Sequence, residues 1–248
     1  MTYCVAITTD KGLVFVSDSR TNAGVDNVSS YSKMHRFESG TDRSFVLLSA
    51  GNLATTQRVV QQLHREIQQC LPLNLMTVAS MTDAADYIGH VNVLQQGKHT
   101  GSGVNYEANF IIGGQIAGSV PEIYLVYPQG NYITASSYTP YLQIGEGKYG
   151  KTILDRILAP DLNLETAALC AMLSMDSTMN SNITVGPPIE VIIYSADSFS
   201  LDRYYCFDEH SEYLRELRRS WDRNLKEAFN KLPPIAWASN WDEQQNTQ

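Results

Sequence analysis

No apolar run in this sequence approaches the roughly 20 positions that a membrane-spanning helix needs, so no membrane partner is expected. The first residues carry neither a basic stretch nor a long apolar core, which argues against a secretory leader. Cysteine is scarce: Cys4, Cys70, Cys170 and Cys206 lie far apart and form no C-x-x-C pair. Buried thiols in a reduced, cytoplasmic protein are the expectation. Basic residues are outnumbered, 18 Lys and Arg against 26 Asp and Glu, and the formal net charge of -8 excludes a general nucleic-acid binder. His35, His64, His90, His99 and His210 show no H-x-x-x-H spacing, and no metal or other cofactor is expected. The glycine-rich GKHTGSG (residues 97–103) neither follows a strand nor opens a helix with phosphate-loop spacing, and reads as a plain loop.

What is present is a chain of 248 residues, 43% hydrophobic and 18% charged, enough to bury a sizeable core. Residues 2–9 alternate around Tyr3, Val5 and Ile7, and Asp10-Lys11-Gly12 turns the chain into LVFVSD, a β-hairpin. A polar loop (TNAGVDNVSS) leads to YSKMHRFE and then to the apolar strand SFVLLSAG. The period then changes: Val59, Val60, Leu63, Ile67 and Leu71, and after Pro72 Val78, Met81, Ala85, Ile88 and Val91, recur at helical steps. Strands return at ANFIIGGQI, EIYLVYP, NYITAS and YLQIG, followed by helices near 147–158 and 164–176. IEVIIYSA and SLDRYYCF read as two more strands. Leu214, Leu217, Trp221, Leu225, Phe229 and Leu232 then stripe a charged helix that Pro233-Pro234 stops, ahead of a polar tail. Runs of strands alternating with pairs of helices predict an α+β protein, a four-layer α-β-β-α sandwich of two antiparallel sheets. Residues 2–208 form that domain in this reading, and 209–248 a C-terminal helical extension suited to an oligomer contact.

The chemistry begins at Thr2. A threonine hydroxyl is a weak nucleophile unless a base lies within reach. An N-terminal threonine brings its own, because a free α-amine titrates near pH 7.7–8.0. With Met1 attached that nitrogen is an amide, so Met1 must be removed first. Asp18-Ser19-Arg20 ends the second strand of the hairpin, and Lys33 begins the third. A lysine near Thr2 favours deprotonation of the hydroxyl and depresses the amine's pKa, and Asp18 is placed to hold that lysine. Thr2, Asp18, Arg20 and Lys33 together on successive strands form a coherent set. Cys4, exposed by trimming three residues, is a competing nucleophile.

With LLSAGNLATTQ, PEIYLVYPQGNYITA and YLQIGEGKYG, this pattern resembles the proteasome β-subunit and HslV group of N-terminal-nucleophile (Ntn) hydrolases over most of residues 2–195. MTYCVAI, DSRTNAGVD, SMDSTMNSN and the C-terminal extension are similar to its bacterial ancestral β-subunit branch, Anbu. The resemblance implies Thr2 as nucleophile and its amine as base, with Lys33 tuning the site, Asp18 holding Lys33, and Ser19 and Arg20 in support. It implies Gly51 as the oxyanion donor. Asp176 and Ser181 are its supports for the amine, with Ser177 and Thr178 as substitutes. It further implies a peptide or other amide substrate, self-assembly into a ring or open helix, and room for an ATP-dependent partner. One departure stands out: Glu146 occupies a position where these families carry a serine. A carboxylate there raises the amine's pKa and weakens it as a base, which keeps a slow or silent scaffold subunit as the alternative function.

Overall fold

The computed structural model describes residues 1–22, 28–98 and 105–233. The strands are β1 (Tyr3–Thr9), β2 (Gly12–Asp18), β3 (Arg20–Asn22), β4 (Val28–Ser30), β5 (Met34–Glu38), β6 (Arg43–Gly51), β7 (Ala108–Ile116), β8 (Glu122–Val126), β9 (Tyr132–Thr134), β10 (Tyr141–Gly145), β11 (Ile189–Ser195) and β12 (Tyr204–Phe207). The helices are α1 (Leu53–Gln68), α2 (Met81–Gly97), α3 (Gly147–Ile157), α4 (Leu164–Ser181) and α5 (Glu212–Asn230). Polar caps start four of them: the side chains of Asn52, Ser80, Asn163 and Ser211 accept from the backbone N–H of Thr55, Asp83, Thr166 and Leu214. Each such cap contributes about 1 kcal/mol.

One sheet has the order β10-β1-β2-β11-β12 and the other β5-β6-β7-β8-β9, and every pairing within them is antiparallel. Helices α3 and α4 pack on the first sheet, α1 and α2 on the second. Between the sheets lies a core that includes Cys4, Ala6, Phe15, Val46, Leu48, Ile111 and Ile192. A second core, around Phe45, Leu47, Leu63, Ile88 and Phe110, joins the second sheet to its helices. The four-layer sandwich expected from the element order is the architecture found. Alternation explains it: Phe45 and Leu47 face the helices while Val46 and Leu48 face the other sheet.

Several readings need correction. Arg20 opens β3 and does not end β2, and Lys33 lies one residue ahead of the fifth strand and does not begin the third. The expected polar loop after β2 contains a two-stranded ribbon, with Thr21 opposite Ser29; residues 23–27 lie outside the described residues. A ribbon of polar residues has no apolar alternation by which to recognise it. Helix α4 runs to Ser181, past the expected end at 176, through residues too polar to extend the apolar stripe. Most of the glycine-rich stretch (residues 99–103) and the tail from 234 onward lie outside the described residues.

The chain divides into two compact units, Met1–His210 and Ser211–Gln248. The sandwich is the first. The second contains α5, whose N-cap Ser211 accepts from Leu214 N and none of whose residues is buried. Leu225 and Phe229 on its apolar stripe are 54% and 70% exposed.

Phe15 is fully buried, and its ring lies over Gly113, where an added Cβ would approach it to 2.7 Å. Phe15→Ala is expected to cost about 3–5 kcal/mol in urea unfolding, the range for emptying a packed aromatic site. Val120→Ala, at a position 69% exposed, is expected to stay within about 0.5 kcal/mol.

Candidate active site

The site is built where the hairpin, the β3–β4 ribbon and the start of β5 meet. Asp18 closes β2 opposite Ile189 of β11. Its Oδ1 accepts from the backbone N–H of Tyr3 at 3.0 Å and from Lys33 Nζ at 2.7 Å. Its Oδ2 accepts from the N–H of Gly186 at 3.3 Å. Lys33 Nζ also donates to the carbonyl of Arg20 at 2.7 Å, and the Lys33 carbonyl is tied to β6 through Ser49 N–H at 2.9 Å. The ion pair is shielded, with side-chain exposures of 7% for Lys33 and 0% for Asp18. Burial pushes the Asp18 carboxyl above the ordinary aspartate value, and the Lys33 ammonium and the two N–H donors pull it back. Arg20 braces the corner: its guanidinium donates to the Ile183 carbonyl at 2.8 Å and its N–H to Gly186 O at 3.2 Å. The Ser19 hydroxyl turns away from Lys33 and donates to Glu190 Oε1 at 2.9 Å.

Thr2 precedes β1, and its carbonyl accepts from the N–H of Glu146 at 2.8 Å. Gly145, opposite Tyr3 in the β1–β10 pair, has φ +81°, and a Cβ there would overlap the Thr2 carbonyl oxygen. Only glycine permits that approach without strain. Thr2, Lys33, Gly51 and Glu146 all line one cavity of about 700 Å³, together with Met1 and His35. Gly51 ends β6 with φ +110°, where a Cβ would overlap the Glu107 carbonyl.

Asp176 and Ser181 do not line this cavity. Asp176 is buried on α4 and accepts from Asn180 Nδ2 at 3.1 Å, while Ser181 is the exposed last residue of that helix. Of the substitutes, Thr178 donates its hydroxyl to the Ser174 carbonyl at 2.9 Å, and Ser177 is half-buried. Ser174 of α4 reaches β1, its hydroxyl 2.6 Å from the phenol of Tyr3, which also accepts from Gln143 Nε2 at 2.6 Å. The phenol accepts from Gln143, and either hydroxyl can donate in its contact with Ser174. Cys4 is fully buried between the sheets, and burial pushes its thiol well above its ordinary value, so it is a packed side chain. Tyr3, Gln143 and Ser174 lie in motifs quoted for the resemblance but drew no role from it, and Gly186 and Glu190 lie in none; the fold brings all five to the site.

Comparison with known proteins agrees with this fold. The family described as "Proteasome subunit" matches residues 2–194. Anbu (ancestral beta-subunit) from Yersinia bercovieri is 45% identical, covering 94% of this chain and 98% of that one, with a TM-score of 0.90. The helical assembly of the Anbu complex from Pseudomonas aeruginosa gives 41%, 96% and 99%, with a TM-score of 0.91. Anbu from Hyphomicrobium sp. strain MC1 gives 42%, 95% and 100%, with a TM-score of 0.88. No curated protein matches the chain.

His35, on β5, is a cavity residue that carries no motif. Burial, with His64 as a smaller cause, lowers its pKa to about 4. In the unfolded chain it titrates near 6.5, so between about pH 6.5 and 4 the unfolded state binds more protons than the folded one. Folded-state stability is therefore expected to fall with acidification across that window. His35→Gln removes this contribution, which is on the order of 3 kcal/mol at full development. The difference between wild-type and His35→Gln urea midpoints from pH 7 to pH 4 measures it; parallel curves would show that His35 titrates normally.

Proposed function

The chain belongs to the proteasome subunit family, and from that premise we propose that it is an N-terminal threonine hydrolase acting on amide bonds in peptides. The observation that carries the reading is the shielded Lys33–Asp18 pair, closed at 2.7 Å, with Lys33 and Thr2 on the wall of the same cavity. Removal of Met1 frees the Thr2 amine. That amine takes the Oγ proton as Oγ attacks the substrate carbonyl, and the Lys33 cation favours the developing alkoxide. The Gly51 N–H stabilises the oxyanion, a contribution of about 2.7–4 kcal/mol for a donor of this kind. The ammonium returns its proton to the leaving amine as the C–N bond breaks, giving an ester on Thr2. Water, deprotonated by the same amine, then hydrolyses the ester. Asp176 and Ser181 support the amine from the α4 side in this scheme, although neither lines the cavity while Met1 is in place.

Self-association belongs to the same proposal. The Pseudomonas aeruginosa relative is described as a helical assembly, and the exposed apolar stripe of α5 is suited to contact between copies. A reducing cytoplasm suits the free thiols of Cys4, Cys70, Cys170 and Cys206.

A specific observation supports a second reading, a slow or silent scaffold subunit: the Glu146 side chain is 14% exposed and on the cavity wall beside Thr2. An anion there stabilises the ammonium form of the amine and lowers the fraction able to act as base.

Intact mass is expected to show loss of one methionine. Thr2→Ala is expected to assemble normally and to lose both peptide hydrolysis and covalent labelling by a threonine-directed electrophile. Unchanged turnover in Thr2→Ala would rule the mechanism out, and wild type that never labels at any pH would favour the scaffold. Glu146→Ser is expected to move the acidic limb of the labelling rate to lower pH, because removing the anion lowers the pKa of the amine. An unmoved or higher limb would show that Glu146 does not act on it.

A further inference from the structure

Glu190 is a buried carboxyl group, 5% exposed, that no cation pairs among the described residues. Three hydroxyls satisfy it instead. Ser19 Oγ donates to Oε1 at 2.9 Å, and Ser32 Oγ and Tyr204 OH reach Oε2 at 3.1 and 2.9 Å. Burying such a group costs more than burying a hydrocarbon of the same size, so packing alone gives no reason for it.

The partners explain its place. Ser19 follows Asp18 in the chain, and Ser32 precedes Lys33. One carboxyl oxygen therefore holds the neighbour of the anion and the other holds the neighbour of the cation. Glu190 forms a second bridge alongside the Lys33–Asp18 contact, anchored in β11 opposite Ser17. Tyr204 fixes the carboxyl from β12, and its own ring lies 4.4 Å from the Arg36 guanidinium. The bridge also meets the cavity, because Ser32 is on its wall. The single proton of Ser32 has a second acceptor in reach, the Met34 carbonyl at 2.9 Å, so Glu190 competes for the orientation of that hydroxyl.

We infer that Glu190 is a positioning residue that sets the place of the Lys33 ammonium through Ser19 and Ser32. Its role in turnover rests on the reading of Thr2 as nucleophile; its action on Lys33 does not. Without the bridge, the segment before β5 is held to β2 by the lysine side chain and by the Tyr31 N–H on the Ser19 carbonyl at 2.9 Å. The ammonium then leaves its shielded position more often.

The experiment is competitive acetylation with acetic anhydride, reading Lys33 against the exposed Lys11 by peptide mass spectrometry. Wild type, Glu190→Gln, Glu190→Leu and the double variant Ser19→Ala/Ser32→Ala are compared. Relative to wild type, Lys33 is expected to acetylate about tenfold faster in Glu190→Leu and in the double variant, the loss of one or two net hydrogen bonds. Glu190→Gln, whose amide oxygen still accepts, is expected to stay within about threefold. A purely structural role would lower the melting temperature and leave Lys33 as unreactive as in wild type while the protein is folded. That result in the double variant overturns the inference, and it decides the case should Glu190→Leu not fold. The labelling rate of Thr2 after Met1 removal is the second readout, expected to fall about tenfold in Glu190→Leu and in the double variant and to stay within about threefold of wild type in Glu190→Gln. If wild type fails to label at Thr2, the hydrolase reading fails while the Lys33 measurement still decides the role of Glu190. If Lys33 is unmoved in a labelling-competent wild-type background, the positioning role fails alone.

Discussion

The carboxyl group of Asp18 is the point at which the site and the sandwich depend on each other. Its two oxygens take hydrogen bonds from the start of β1 through Tyr3, from the segment before β11 through Gly186, and from Lys33 before β5. Two of these donors come from the first 33 residues and the third from residue 186, so the carboxyl ties together segments far apart in the chain. A buried carboxylate costs several kcal/mol in desolvation and repays it only when its acceptor sites are filled. Each donor is thus required by the others. Loss of any one leaves the group under-satisfied, and the place of Thr2, one residue before Tyr3, is set by the same node.

The surroundings of that node divide polar groups by function. Asp18, Lys33, Ser19 and Glu190 are all buried at one end of the first sheet, while the middle of the same strands contributes Val14, Phe15, Val16, Ile192 and Tyr194 to the apolar core. A strand end that accumulates charge is expensive, and Ser17 Oγ is buried there with no hydrogen-bond partner among the described residues. Local stability is given up where geometry is held. Backbone shape contributes in the same way: Gly51 and Gly145 both take positive φ beside the cavity, each with another chain segment where a side chain would stand.

Period and turn chemistry made the sandwich readable before any coordinates. Tyr3, Val5 and Ile7 alternate, Val59, Val60 and Leu63 step helically, and the order of the runs excluded a parallel sheet. Thr2, Asp18 and Lys33 were legible because chemistry demands those residue types and a hairpin brings strand ends together. The β3–β4 ribbon was not, since Thr21 and Ser29 are as polar as a loop. Nor were Gly186, which reaches Asp18 from the segment ahead of β11, and Glu190, which lies opposite Ser17, relations invisible until β11 is known to pair with β2. The last turn of α4, residues 177–181, was missed because Ser177, Thr178, Asn180 and Ser181 are polar and break the apolar count on which a helix end is judged.

Glu146 illustrates why a site can change chemistry without changing shape. Its contact with Thr2 is made by the main chain, N–H to carbonyl at 2.8 Å, so any residue but proline at 146 can make the same bond. The side chain is left to act on the amine by charge alone. Its partner Lys148, 3.8 Å away and 70% exposed, is a surface pairing that water screens strongly. Two opposite fields therefore act on Thr2 in the proposed enzyme: the shielded Lys33 cation, which depresses the amine's pKa, and the Glu146 anion, which raises it. A serine at 146 would leave the lysine unopposed. With glutamate the basicity of the amine becomes a difference between two terms, and the placement of the lysine matters more. That is the physical reason a second bridge through Glu190, Ser19 and Ser32 has consequences in this chain that packing by itself would not require.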